Sequence, residues 1–148
     1  MLPRTHIIFG LLFAAGVFFV FHISFISASL IFLSSFLIDL DHYIYGAYKK
    51  KTLRLTKIYS FFIGQRQKWR SLSYEQKKKS EFPILIFHGA EFFLLILLLS
   101  LKLPILLFVF LGGIFHMLLD YMDILWNRDP LYVKLSPAYV YLNNKNRR

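Results

Sequence analysis

The sequence predicts an all-α integral membrane protein, a four-helix bundle with a basic cytoplasmic loop that carries a helix lying in the membrane interface. Three observations predict this class. Of 148 residues, 57% are hydrophobic and the mean hydropathy is +0.52, more apolar surface than one soluble core of this size can cover. The apolar residues are gathered into long runs, the arrangement that crosses a bilayer. Lys and Arg number 18 against 8 Asp and Glu, a net charge of +10, and they fall mainly between and beyond those runs.

Residues 7–38 are almost unbroken apolar sequence. As one helix they would measure about 48 Å against a hydrocarbon core of about 30 Å. We therefore read two short spans, about 4–21 and 24–41, with a reversal near His22, Ile23 and Ser24; one long tilted helix is the alternative. The run follows Arg4 but continues to Ile38, too long for a signal-peptide core and without a small-residue cleavage site. A third span, about 82–101, opens at Pro83, and a fourth, about 104–126, opens at Pro104. Proline suits the first turn of a helix, where its missing N–H costs nothing. Lys102 lies in the connection between them.

The loop over 43–81 separates the two pairs of spans. Within it Leu55, Ile58, Tyr59, Phe62 and Ile63 recur at helical spacing, with Lys51, Arg54 and Lys57 largely off that face. This predicts a short interfacial helix ended by Gly64, followed by a loose basic stretch over 65–80. Residues 1–126 form a single membrane domain, and 127–148 form a basic tail holding Arg128, Lys134, Lys145, Arg147 and Arg148.

Charge placement sets the expected orientation. From Lys49 to Lys79 the loop is rich in Lys and Arg and holds one acid, Glu75, which predicts a cytoplasmic location for it. Four reversing spans then put both termini in the cytoplasm. Membrane lipid is the expected partner, with anionic headgroups or phosphate drawn to Lys49–Lys79; nucleic acid is not expected. The chain has no cysteine, which excludes disulfides, thiolate metal ligands and a cysteine nucleophile.

The polar residues inside the apolar pattern carry the functional reading. Asp39, Asp41 and His42 end the second span in the stretch FLIDLDHY. His6 begins the first span, His88 and Glu91 lie early in the third, and His116, Asp120 and Asp123 lie late in the fourth. On the predicted topology all nine fall in the cytoplasmic half, whereas His22 falls at the opposite end. His88 and Glu91 are three apart, and His116, Asp120 and Asp123 are four and then three apart, so each set shares a helix face. Asp39 and Asp41 are two apart, which splays them by about 200° on a regular helix. Carboxylates in a bilayer cost several kcal/mol unless paired, hydrated or bound to a cation.

Mixed nitrogen and oxygen donors without sulfur suit Zn²⁺, with Mn²⁺ or Fe²⁺ as alternatives. So many donors predict two ions. The expected metal ligands are His6, Asp39, His42, His88, Glu91, His116 and Asp120, with Asp41 and Asp123 as general base or further ligands. Two close ions would activate water and clamp a phosphoryl oxygen. The expected function is therefore a metal-dependent hydrolase acting on a phosphoester or lipid-like substrate. The alternatives are a divalent-cation transporter and a non-catalytic protein with a structural metal and a basic binding loop.

Several motifs point the same way. THIIFG (5–10), LIDLDH (37–42), GQRQKW (64–69), FHGAEFF (87–93) and FHMLLDYMD (115–123) together resemble the small inner-membrane metal-dependent hydrolases also described as LexA-binding. The resemblance touches most of the chain from residue 5 to about 126 and implies a hydrolytic metal site at these histidines and aspartates. Where that family has Pro before its first aspartate, this chain has Ile38. Where it often has a second third-span histidine, this chain offers Glu91.

Overall fold

The computed structural model describes residues 3–146; Arg147 and Arg148 of the expected tail lie outside them. The described residues form eight α-helices, two short 3-10 turns and no strand. In chain order the helices are α1 (Pro3–Phe21), α2 (Phe25–Leu37), α3 (Leu40–Lys50), α4 (Leu55–Arg70), α5 (Tyr74–Lys79), α6 (Ala90–Ser100), α7 (Leu106–Trp126) and α8 (Pro137–Lys145). The 3-10 turns are Ile86–His88 before α6 and Leu131–Lys134 before α8.

Three helical stretches are long and apolar enough to cross a membrane: Pro3–Phe21, Phe25–Lys50 and Leu106–Trp126. The reversal between the first two falls at His22, Ile23 and Ser24, where Ser24 caps α2 by accepting from the Ser27 N–H at 3.1 Å. His22 takes a left-handed backbone, φ 50°. The expected third span differs. Only 11 of its residues are α-helical, Ala90–Ser100, about 16 Å at 1.5 Å per residue. Pro83 does not start that helix; residues 81–85 are non-helical. The segment 82–101 therefore does not supply a fourth full-length spanning helix.

The loop is also more ordered than a sequence of scattered lysines suggests. α4 runs through Gly64 to Arg70, and the stretch expected to be loose folds a further helix, α5. Ser73 and Gln76 start α5 with a reciprocal capping box. Lys77 is buried, donating to Asp129 Oδ1 at 2.7 Å and to the Asn127 carbonyl at 3.0 Å. Trp69 Nε1 donates to the same aspartate oxygen at 3.0 Å. These contacts tie α4 and α5 to the chain just beyond α7.

α2 packs against both α1 and α7, which also touch each other, and α6 packs on α7. The helices meet through small residues, as association without a hydrophobic driving force requires. A Cβ at Gly112 would overlap the Ile31 carbonyl and the Ser34 hydroxyl. The Gly112-Gly113 pair thus allows close approach within the chain, Gly112 facing α2 and Gly113 facing Phe93 and Ile38. Stacked rings of Phe13 and Phe115, with centroids 4.1 Å apart, join α1 to α7. Large side chains such as Leu12, Phe19, Phe25 and Leu118 face outward, each more than half exposed, as a lipid-facing surface would be.

Candidate metal centre

α2 and α3 are one run interrupted at Ile38 and Asp39, and the interruption builds the site. In a regular helix the Asp39 N–H would donate to the Ser35 carbonyl. Here the Asp39 N–H donates to the Phe36 carbonyl at 3.1 Å, and His116 Nδ1 occupies the Ser35 carbonyl at 2.8 Å. A side chain inserted into the hydrogen-bond ladder is a recognised cause of a helix bend. The break changes the angle between Asp39 and Asp41, so both carboxylates reach the same centre.

His116 and Asp120 project from α7, His6 from the first turns of α1, and His42 from α3. His88 comes from the 3-10 turn before α6. His6, His88, His116 and Asp120 are essentially inaccessible, Asp41 is buried, and Asp39 and His42 are half-buried. His88 Nε2 lies 3.1 Å from His116 Nε2, 3.5 Å from Asp39 Oδ1 and 3.5 Å from Asp120 Oδ2. His116 Nε2 lies 3.2 Å from Asp120 Oδ2 and 3.7 Å from Asp39 Oδ1. His6 Nε2 is 3.4 Å from Asp120 Oδ1, its ring stacked on His116 at a centroid distance of 3.9 Å. His42 Nε2 is 3.7 Å from Asp39 Oδ1.

The proton positions follow from the partners. The Ser35 carbonyl can only accept, so His116 Nδ1 carries hydrogen. Asp41 Oδ2 lies 3.0 Å from His88 Nδ1 and accepts from the Phe87 N–H at 3.1 Å, so as a carboxylate it makes His88 Nδ1 a donor too. Neutral rings then turn two nitrogen lone pairs toward each other across 3.1 Å. That contact is repulsive unless a metal ion or a shared proton lies between the two nitrogens. Edges of a tetrahedral site with bonds near 2.1 Å measure about 3.4 Å, close to the separations seen here.

Further orphaned atoms line the same centre. Asp39 Oδ2, Asp41 Oδ1 and His6 Nδ1 are buried without a hydrogen bond, and His6 Nε2 lacks hydrogen-bond geometry despite its nearness to Asp120. Buried polar groups left this way cost about 1–3 kcal/mol each. Three overlapping triads have ligand atoms close enough to hold an ion: His6–Asp39–His116, Asp39–His42–His88, and His88–His116–Asp120. Donor chemistry, tautomers and spacing all fit a divalent cation.

The structure thus gathers His6, Asp39, His42, His88, His116 and Asp120, with Asp41 directly behind His88. It does not gather Glu91. That side chain is exposed on the first turn of α6 and accepts from the Ser136 hydroxyl, because the non-helical 81–85 segment and the 3-10 turn at His88 remove the shared helix face that three-residue spacing implied. Asp123 is likewise outside the triads. It pairs with Arg66 Nη2 at 3.3 Å and accepts from the Asn127 amide at 3.1 Å.

Lys134 was not expected at the centre. Its ammonium contacts Asp120 Oδ2, delivered by the 3-10 turn that follows α7. Nothing in its spacing from Asp120 signals this, because residues 127–130 reverse the chain through a left-handed Arg128, φ 49°. Arg66, by sequence one of the loop charges, is a second such residue. It too faces the last turns of α7.

A cavity of about 630 Å³ opens beside the centre. Asp39, His42, Asp120 and Lys134 are among its lining residues, and α4 supplies much of the rest of its wall. A separate surface depression at Lys50, Lys51 and Lys57 holds none of the metal-type ligands.

Fold and site together define an all-helical protein with three apolar helices of spanning length and a buried histidine–aspartate centre able to hold a metal ion. No family model matches the chain, and no curated protein and no solved structure matches it.

Proposed function

We propose that the chain is a membrane-embedded, metal-dependent hydrolase of phosphoesters, working at the cytoplasmic face of the inner membrane. The observation that carries this is the facing pair His88 Nε2 and His116 Nε2, 3.1 Å apart, each ring held at Nδ1 by an acceptor. A histidine fixed at one nitrogen by a carboxylate or carbonyl, with the other turned inward, is the usual arrangement of a metal-ligating imidazole. His88, His116, Asp39 and Asp120 would hold the first ion, with His6 and His42 completing or sharing a second. Zn²⁺ suits this donor set best, followed by Mn²⁺ and Fe²⁺.

A divalent ion there supplies Lewis acidity and makes bound water acidic near neutral pH. The chain supplies the rest. Asp41 keeps His88 in the tautomer that leaves Nε2 available. Asp39 Oδ2, buried without a hydrogen bond, is placed to take a proton. Asp123, with Arg66 beside it, orients that guanidinium rather than acting as a base. The resemblance of LIDLDH and FHMLLDYMD to the inner-membrane hydrolases supports the same reading, as does the basic charge of the segment carrying α4 and α5.

Transport of a cation is less well supported. On the far side of the centre the buried interior includes Ala14, Ala28 and Ile31. The buried hydroxyls of Ser34 and Ser35 are turned onto backbone carbonyls of their own helix. No ladder of polar groups leads from the centre to the opposite end among the described residues.

The test is a phosphomonoester and phosphodiester hydrolysis screen on purified protein in nanodiscs, with and without chelator. Turnover abolished by chelator, restored by Zn²⁺ or Mn²⁺, and reduced at least 100-fold in His116→Ala and Asp120→Asn is expected. Undiminished turnover in either variant would overturn the catalytic reading.

A further inference from the structure

We propose that the cavity under α4 is the substrate site, that it takes an amphiphile ending in a phosphate monoester, and that Arg66 anchors that phosphate while Asp123 positions Arg66. The proposal rests on the metal-hydrolase reading and names the substrate class for the same site.

The cavity lining is chemically mixed. Asp39, His42 and Asp120 of the metal centre line one part, and Lys134 and Arg66 bring positive charge beside them. The lining also includes apolar and aromatic side chains of α4 such as Ile58, Tyr59, Phe62 and Trp69, and further charged groups, among them Arg70, Glu81 and Asp129. A concavity that joins charged groups to an apolar wall suits a small amphiphile, and its size lies within the usual range of about 300–1,000 Å³ for such sites. The occupant therefore needs a compact anionic head and an apolar body.

Arg66 is placed for the head. Asp123 follows Asp120 by three residues, about 4.5 Å along the helix axis, so the guanidinium beside Asp123 stands about one turn from a metal ligand. Only Nη2 makes hydrogen bonds among the described residues, at 3.3 and 3.5 Å to the two Asp123 oxygens. The planar guanidinium has five donors, a fork that matches phosphate oxygens, and most of them remain for a ligand. A monoester head, with more charge and more terminal oxygens than a diester, uses such donors together with metal. A hydrophilic phosphate gains nothing from the wall.

The wall belongs to an element that can admit lipid. Gly46 lets α4 lie directly on α3, since a Cβ there would overlap Ile58 and Phe62. Leu55 and Tyr59 on the same helix are more than half exposed. Both also line the cavity, so its α4 wall is open at those residues to the interface in which such a helix would lie, and a chain can enter there while the headgroup reaches the metal centre.

Binding tests this independently of turnover. Trp69 lines the cavity, and Trp126→Phe leaves it as the single reporter, since the chain has two tryptophans. Zinc-loaded protein in nanodiscs is titrated with dodecyl phosphate, inorganic phosphate and dodecanol while Trp69 fluorescence is followed. Saturable binding of dodecyl phosphate at least tenfold tighter than either control is expected. Arg66→Gln should weaken it at least tenfold, Arg66→Lys less, and Asp123→Asn in the same direction as Arg66→Gln. Equal affinity for inorganic phosphate, equal affinity for dodecanol, or unchanged binding by Arg66→Gln overturns the proposal. Dodecyl phosphate binding as expected without hydrolysis keeps the site and removes the catalytic reading. Hydrolysis with unaltered Arg66→Gln binding does the reverse.

Discussion

His116 Nδ1 takes the Ser35 carbonyl oxygen at 2.8 Å, the group that would otherwise receive the Asp39 N–H in an unbroken helix. One contact therefore does two things. It fixes the tautomer that leaves His116 Nε2 facing the centre, and it opens the helix where Asp39 and Asp41 must diverge from regular spacing. His116→Ala should accordingly do more than remove a donor atom. It should restore the ladder between Ser35 and Asp39, straighten the α2–α3 run, and abolish metal binding, whereas His116→Gln should keep part of the bend. Hydrogen exchange at the Asp39 amide checks this, with slower exchange expected in His116→Ala and exchange as fast as in the parent protein standing against it.

Asp41 supports a ligand without joining the triads. Its Oδ2 holds His88 Nδ1 at 3.0 Å and the Phe87 N–H at 3.1 Å. Loss of such an orienting carboxylate typically costs about 10–100-fold in metal affinity. Asp41→Asn should weaken zinc binding by about that factor, measured by competition with a chelator, and should not eliminate it. Complete loss of metal would make Asp41 a direct ligand.

Lys134 and a cation compete for Asp120. The ammonium sits on Asp120 Oδ2, the oxygen that also faces both His88 and His116. Lys134→Met removes a positive neighbour of about the same length. Zinc affinity should rise by several-fold in that variant; a fall would mean that Lys134 holds Asp120 in its ligating position.

Glu91 should be dispensable for metal. It lies exposed and takes the Ser136 hydroxyl, next to the Leu135 carbonyl that accepts the Ala90 N–H at 2.9 Å. Glu91→Gln should retain full metal content, with its effect confined to protease sensitivity of the segment around Ser136. A metal deficit in Glu91→Gln would restore the ligand role that sequence spacing suggests.

Lys77 is a structural lysine inside a basic loop. Lys77→Met removes the ammonium from the Asp129 carboxylate, which keeps only the Trp69 N–H of the two donors described, and from the Asn127 carbonyl. Removing one partner of such a pair costs about 2–4 kcal/mol. Denaturant unfolding of the variant should show a loss of that size with metal content per folded chain unchanged. A loss below about 0.5 kcal/mol would place Lys77 among ordinary solvated loop charges.

The centre was legible in the sequence because its ligands violate the apolar pattern. His6, Asp39, His88, His116 and Asp120 stand out against Phe, Leu and Ile, and helical spacing alone brings His116 and Asp120 to one face. Glu91 misled because the same rule presumes a helix from Pro83 onward, whereas the chain remains non-helical to Leu85 and then makes a single 3-10 turn. The helix of the third segment is shorter than its composition suggests for the same reason. Apolar composition continues across 82–101, but the helix starts only at Ala90. Lys134 and Arg66 were invisible as site residues because they arrive by tertiary reversal, at separations of 14 and 57 residues from the carboxylates they meet. No local periodicity encodes such a meeting.

The most direct measurement is elemental analysis of the purified chain beside a His88→Ala/His116→Ala double variant, both in detergent at equal folded concentration. At least one divalent ion per chain in the parent protein, and none above background in the double variant with its helical circular dichroism retained, is the predicted result. A parent protein free of transition metal after purification without chelator, and unable to take up Zn²⁺, Mn²⁺ or Fe²⁺ at micromolar concentration, would contradict it. The facing imidazoles would then have to be reconciled by a shared proton.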